Sequence, residues 1–127
     1  MDQTATFSAA ARLGFQYYAE QNFTQAIAEL ERATHENAEQ PEVWRTMGYA
    51  YYGLRKYDDA VNCMQRAIAI NNGDAESHYG LGISFAMLGD ESKAIASYDR
   101  ALELDPINVN AKNGLTGALL NRGQKHL

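Results

Sequence analysis

Apolar residues recur along this chain at helical spacing. Trp44, Met47, Gly48 and Tyr51 fall at i, i+3, i+4 and i+7, one face of a helix that turns about 100° per residue. A little further on, Ala60, Met64, Ala67 and Ile68 fall at i, i+4, i+7 and i+8, again one helical face. The polar, glycine-containing joint "YGLRKY" lies between the two runs. The joints "YAEQNF" and "AMLGDE" divide the flanking segments in the same way. Residues 10–33, 44–67 and 78–101 therefore each read as two helices and a short turn.

The three segments also align with one another. Gly14, Gly48 and Gly82 are 34 residues apart, as are Ala26, Ala60 and Ala94, and Ala33, Ala67 and Ala101. Leu13, Met47 and Leu81 keep the same step, and so do Tyr17, Tyr51 and Phe85. Small residues that recur together mark helices in close approach, where a larger residue would overpack by about 1–3 kcal/mol. No single unit can bury both its faces, so the units must stack. The chain reads as one domain over residues 1–127, with repeats at 7–40, 41–74 and 75–108. Residues 109–121 read as a terminal capping helix with Leu115 and Leu119 in core slots. Thr116 and Lys112 replace glycine and tryptophan there, which suits a helix with no partner pressed on it. A piece of a longer repeat protein is the alternative reading.

On these residues the sequence resembles the tetratricopeptide repeat family. Its pattern places an aromatic residue, Leu-Gly and Tyr on a first helix, and Ala, a bulky apolar residue, Ala and Pro on or after a second. Ala10 and His78 depart from it at the tryptophan position. Only the third repeat has the closing proline, Pro106, where the others have Ala38 and Asn72. The resemblance implies an all-α fold, a right-handed αα-superhelix (solenoid) whose first helices line a concave surface.

"WRTMGYAYYGLRKY" holds more aromatic residues than one core face can use. Trp44, Met47, Gly48 and Tyr51 occupy the core face, and Tyr57 corresponds to Phe23 as an anchor between helices. Arg45, Tyr49 and Tyr52 share a second face, which the resemblance turns into the groove. The equivalents are Ala11, Phe15, Tyr18 and Ala19 in the first repeat and Tyr79, Ile83, Ala86 and Met87 in the third. The expected partner-binding residues are Phe15, Tyr18, Arg45, Tyr49, Tyr52, Tyr79, Ile83 and Met87. Gly53 and Gly80 are expected as small floors, with Arg12, Glu42 and Glu76 on a charged rim. Tyr18 and Tyr52 occupy a slot often aromatic in the family, and the plainer reading packs them against the next repeat. Phe15, Tyr49 and Ile83 fill a slot commonly polar there, which favours contact with a ligand.

Chaperone adaptors of this family grip a C-terminal carboxylate with Lys, Asn and Arg. The matching positions here are Ala11, Phe15, Thr46, Glu76 and Gly80, and none fits. In groove character the chain is similar to small three-repeat bacterial secretion chaperones, which hold apolar extended segments.

Composition narrows the function further. Hydrophobic residues make up 46% of the chain and the formal net charge is −5, with acidic first and third repeats and a basic tail (Lys112, Arg122, Lys125). No basic stripe favours nucleic acid. No apolar run reaches the length of a membrane span, and the opening residues lack a secretory pattern. A cytoplasmic setting is expected, and the single Cys63 fits a reducing one. His35, His78 and His126 do not cluster with Cys63 at metal-ligand spacing. The acidic pairs at 58–59 and 90–91 suit helix starts, and "GLG" lies mid-helix. Neither a catalytic arrangement nor a cofactor or metal site is expected. The chain is read as an interaction module or adaptor for a partly apolar or aromatic protein segment. The alternatives are a self-assembling scaffold, in which a second copy fills the groove, and a small chaperone of secreted proteins.

Overall fold

The computed structural model describes residues 6–125, which form seven helices and no strand. These are α1 (Ala9–Ala19), α2 (Phe23–Glu36), α3 (Pro41–Gly53), α4 (Tyr57–Ile70), α5 (Ala75–Met87), α6 (Glu91–Leu104) and α7 (Val109–Lys125). Side-chain caps open four of them. Ser8 Oγ accepts from the Ala11 amide at 3.1 Å, Asp74 Oδ1 from Glu76 at 3.2 Å, Asp90 Oδ1 from Lys93 at 3.1 Å and Asn108 Oδ1 from Ala111 at 3.0 Å. Pro41 starts α3, where its missing N–H costs nothing. The turns after α1, α3 and α5 each pass through a left-handed residue, namely Gln21 (φ 63°), Arg55 (φ 62°) and Gly89 (φ 82°). Only the third is the glycine that this conformation favours.

The helices stack in chain order, each packed on the next. Beyond that, α1 touches α3, α3 touches α5 and α5 touches α7, while no comparable contact joins α2 to α4 or α4 to α6. The inner edge of the stack is therefore shorter than the outer, and α1, α3, α5 and α7 form the concave layer. The fold is an all-α helical repeat solenoid.

Large side chains from the outer helices seat on glycines of the inner ones. A Cβ on Gly14 would lie 2.6 Å from Leu30, one on Gly48 2.9 Å from Met64, and one on Gly82 2.6 Å from Tyr98. Met64 also presses on Gly80, and a Cβ on Gly114 would lie 2.6 Å from Tyr98. Met64 and Tyr98 are thus each clasped between two glycines on successive inner helices. Leu30, Met64 and Tyr98 are all buried.

His78 reproduces the role of tryptophan. Trp44 Nε1 donates to the Ala38 carbonyl at 2.9 Å, and His78 Nε2 lies 3.1 Å from the Asn72 carbonyl, also six residues back. A carbonyl only accepts, so this contact needs the proton on His78 Nε2. The Arg66 guanidinium covers the Trp44 ring, 5.1 Å from its centroid.

The terminal helix departs from expectation. It runs to Lys125 rather than ending at 121. Leu119 is 42% exposed and Leu115 only partly buried; among residues 109–123 of α7 the buried ones are Ala111 and Ala118. Leu119 shares its slot with Tyr51 and Phe85, which the second helix of their own repeat shelters. No such helix follows α7 among the described residues, so that face stays open. Lys112 and Thr116 are exposed too.

The glycine clasps make a stability prediction. Gly82→Ala should lower the unfolding free energy by about 1–3 kcal/mol, since Tyr98 is too enclosed to withdraw. Gly117→Ala, where nothing lies within 4 Å, should raise it by up to about 1 kcal/mol through helix propensity. Urea melts of both variants check the contrast, and equal shifts would show that the clasp is loose.

Candidate partner-binding groove

All eight expected partner-binding residues lie on inner helices, Phe15 and Tyr18 on α1, Arg45, Tyr49 and Tyr52 on α3, and Tyr79, Ile83 and Met87 on α5. Seven are half-buried, and Met87 is 52% exposed. Ala11, by contrast, is fully buried and belongs to the core. Its slot reaches the groove only in later repeats, where the side chain is longer.

The rings divide by what they lean on. Tyr18 rests against Phe23 at 5.8 Å and Tyr52 against Tyr57 at 5.4 Å, each an aromatic at the start of the following outer helix. Phe15 meets Phe7 edge-on at 5.1 Å. Tyr49 faces Tyr18 at 6.5 Å, and its hydroxyl reaches the first turn of α5, 3.1 Å from the Glu76 carbonyl and 3.2 Å from Glu76 Oε2. Arg45 also crosses to that turn and forms an ion pair with Asp74. One ring and one cation on α3 thus tie the second repeat to the third along the inner layer. The two expected floors are occupied from beneath. A Cβ on Gly53 would lie 2.5 Å from Phe23, and Gly80 lies against Met64.

Tyr98 is the buried support behind these rings that sequence reasoning missed. It belongs to α6, an outer helix, yet passes between Gly82 and Gly114 to within 6.1 Å of the Tyr79 ring. Burial pushes its hydroxyl up to about 12, with Tyr79 and Tyr52 adding to the effect. The sequence signal was a tyrosine in the slot of Leu30 and Met64 with glycine at both 82 and 114. Burial raises Tyr18, Tyr52 and Tyr79 as well. Tyr49 is raised most strongly, by burial first and then by the Glu76 charge. These phenols stay protonated and can donate hydrogen bonds.

The outer side offers little chemistry. Cys63 lines a depression with Glu31, Trp44 and Asp59. Burial, then the Asp59 and Glu31 charges, push its thiol up to about 12, which makes it a poor nucleophile. His35 is exposed, and His78 is bound to its carbonyl. Among the described residues no group of three or more His, Cys, Asp or Glu is placed to hold a metal; His126 lies outside them. No helix among them is long and apolar enough to cross a membrane.

Comparison with known proteins meets this geometry. The tetratricopeptide repeat family model matches residues 45–109, half of the chain. The chain belongs to the tetratricopeptide repeat family. Curated proteins gave no match. Among solved structures, this tetratricopeptide repeat chain is similar to MamA, with a TM-score of 0.87 and 25% identity over 90% of this chain and 67% of that one. It is also similar to the first TPR of Spaghetti (RPAP3) bound to the HSP90 peptide SRMEEVD, with a TM-score of 0.88 and 23% identity over 90% of both chains. The first TPR domain of human RPAP3 gives 0.88 and 23% over 92% of both. The RPAP3 likenesses speak to the fold alone.

The raised acids set an alkaline limit. An acid whose pKa rises on folding contributes stability that is complete below its unfolded value and lost as pH climbs toward the folded one. For Cys63 that window runs from 9.0 to about 12, and for Tyr98 from 10.0 to about 12. Urea midpoints should therefore hold steady up to pH 9 and fall above it. Ellman's reagent should label Cys63 only as the chain unfolds; rapid labelling of folded protein would contradict its burial.

Proposed function

We propose that the chain is a protein-interaction module, without catalytic activity, that holds a segment of a partner protein in its concave groove. The single observation that carries this reading is the run of aromatic and apolar side chains, Phe15, Tyr49, Tyr79 and Ile83, that stay partly exposed on the inner helices. The related domains support segment binding in general. The first TPR of Spaghetti (RPAP3) holds the peptide SRMEEVD, and the second TPR domain of human RPAP3 holds SGPTIEEVD. The acidic character of those peptides does not carry over. Ala11 is buried, Phe15 and Thr46 bring no charge, Gly80 has no side chain, and Glu76 would repel a carboxylate. A cytoplasmic setting belongs to the proposal, in keeping with a lone buried thiol.

Substituting Phe15→Ala together with Ile83→Ala should weaken partner capture at least about tenfold, roughly 1.4 kcal/mol, while helicity by circular dichroism is kept. Unchanged capture by the folded variant would move the working surface elsewhere.

Self-assembly is the second reading, and the C-terminal end supports it. Ile107 is 80% exposed, Val109 65% and Leu120 62%, beside the basic Lys112 and Arg122 and opposite in charge to the acidic first and third repeats. Head-to-tail contact should then weaken with salt. Light scattering at rising protein concentration checks this, and a constant monomer mass would remove the reading.

A further inference from the structure

The groove's charges are unevenly answered. Arg45, on the inner face of α3, is held by Asp74, so its charge is met within the fold. Glu42 and Glu76 occupy the same slot in successive repeats, in the first turns of α3 and α5, and both are exposed. Neither forms an ion pair among the described residues. Glu76 accepts only the hydroxyl of Tyr49, which fixes the carboxylate beside that ring. Tyr79 follows one turn along α5, with Tyr98 behind it. Between the second and third repeats the inner face therefore presents the Glu76 carboxylate beside Tyr49 and Tyr79, with Glu42 two turns before Tyr49 on α3, an arrangement that attracts a cation through both charge and ring quadrupole. The one basic side chain of the first repeat's inner helix, Arg12, lies further toward the N-terminal end, where it donates to the Phe7 carbonyl at 2.9 Å.

We propose that the groove selects a partner segment bearing a lysine or arginine among apolar residues, its cation seated against Glu76 and the rings of Tyr49 and Tyr79, with Glu42 adding negative charge along the same inner layer. This rests on the groove reading above and adds the sign of the charge it recognises. Apolar neighbours of the cation fit Ile83 and Met87, which the fold leaves available on the same helix. Acidic segments are disfavoured at this point because both free charges are negative.

The test uses labelled synthetic peptides that share one leucine- and phenylalanine-containing frame and carry Lys, Gln or Glu at a central position. Binding to the whole chain is read by fluorescence anisotropy. The lysine peptide should bind about tenfold more tightly than the glutamate peptide. The preference should shrink with added salt and vanish in the Glu42→Gln, Glu76→Gln variant, whose amides keep the hydrogen-bond acceptor for Tyr49. Equal binding of all three peptides, lost on Phe15→Ala with Ile83→Ala, would overturn the charge selection and leave the groove reading standing. Binding of none, or binding indifferent to that groove variant, would overturn both. Circular dichroism of each variant separates these outcomes from misfolding.

Discussion

The fold depends on how closely its inner helices approach the outer ones, and a clasp sets that distance. One bulky side chain per repeat, Leu30, Met64 or Tyr98, enters a space left by glycine. The clasp does two jobs at once when glycines flank it on both sides. Gly48 with Gly80, and Gly82 with Gly114, let one residue pin its own repeat to the next. The slot of Gly80 on α5 and Gly114 on α7 holds Thr46 on α3, and the wedge of the repeat before it is the branched Leu30. The wedge becomes longer or larger where the second glycine is present. Packing density of this kind admits no spare methyl groups, so intra-repeat and inter-repeat spacing are coupled.

Much of this was legible in the sequence. Gly14, Gly48 and Gly82, with the alanines at the same step, marked the period and the helix pairs. The second glycine of each clasp was harder to see. At the 34-residue step Gly80 and Gly114 follow Arg12 and Thr46, and a pattern present in only part of the repeats reads as noise. Tyr98 escaped for the same reason, because an outer-helix residue comes up behind an inner-helix ring only where the inner helix gives way. Leu119 misled in the opposite direction. Its slot is sheltered only when a second helix follows, and periodicity alone does not record whether the sheltering partner exists. That Tyr49 and Arg45 turn away from the core face of α3 was legible from helical phase, but their bonds to Glu76 and Asp74 were not. Such cross-repeat bonds depend on a rise and twist between repeats that no single helix encodes.

Those cross-repeat bonds also explain how the groove keeps its shape while exposed. Asp74 Oδ1 accepts from the Glu76 amide, and Oδ2 accepts from Ser77 Oγ at 2.7 Å and from Arg45. It starts α5, orients the residues of its first turn and holds α3 alongside. Glu76 is thereby fixed in direction before any partner arrives, and Tyr49 is fixed by Glu76. A partner would then have less side-chain freedom to quench on binding, and preorganisation of this kind turns modest contact area into affinity. It also accounts for the choice of tyrosine over phenylalanine at position 49. The ring offers apolar area to the groove, while the hydroxyl anchors it to the neighbouring repeat. The same atoms thus serve cohesion between repeats and presentation of a surface. A substitution at Tyr49 alone therefore perturbs both, whereas Phe15 and Ile83, which make no such polar bond across repeats, report on the surface more cleanly.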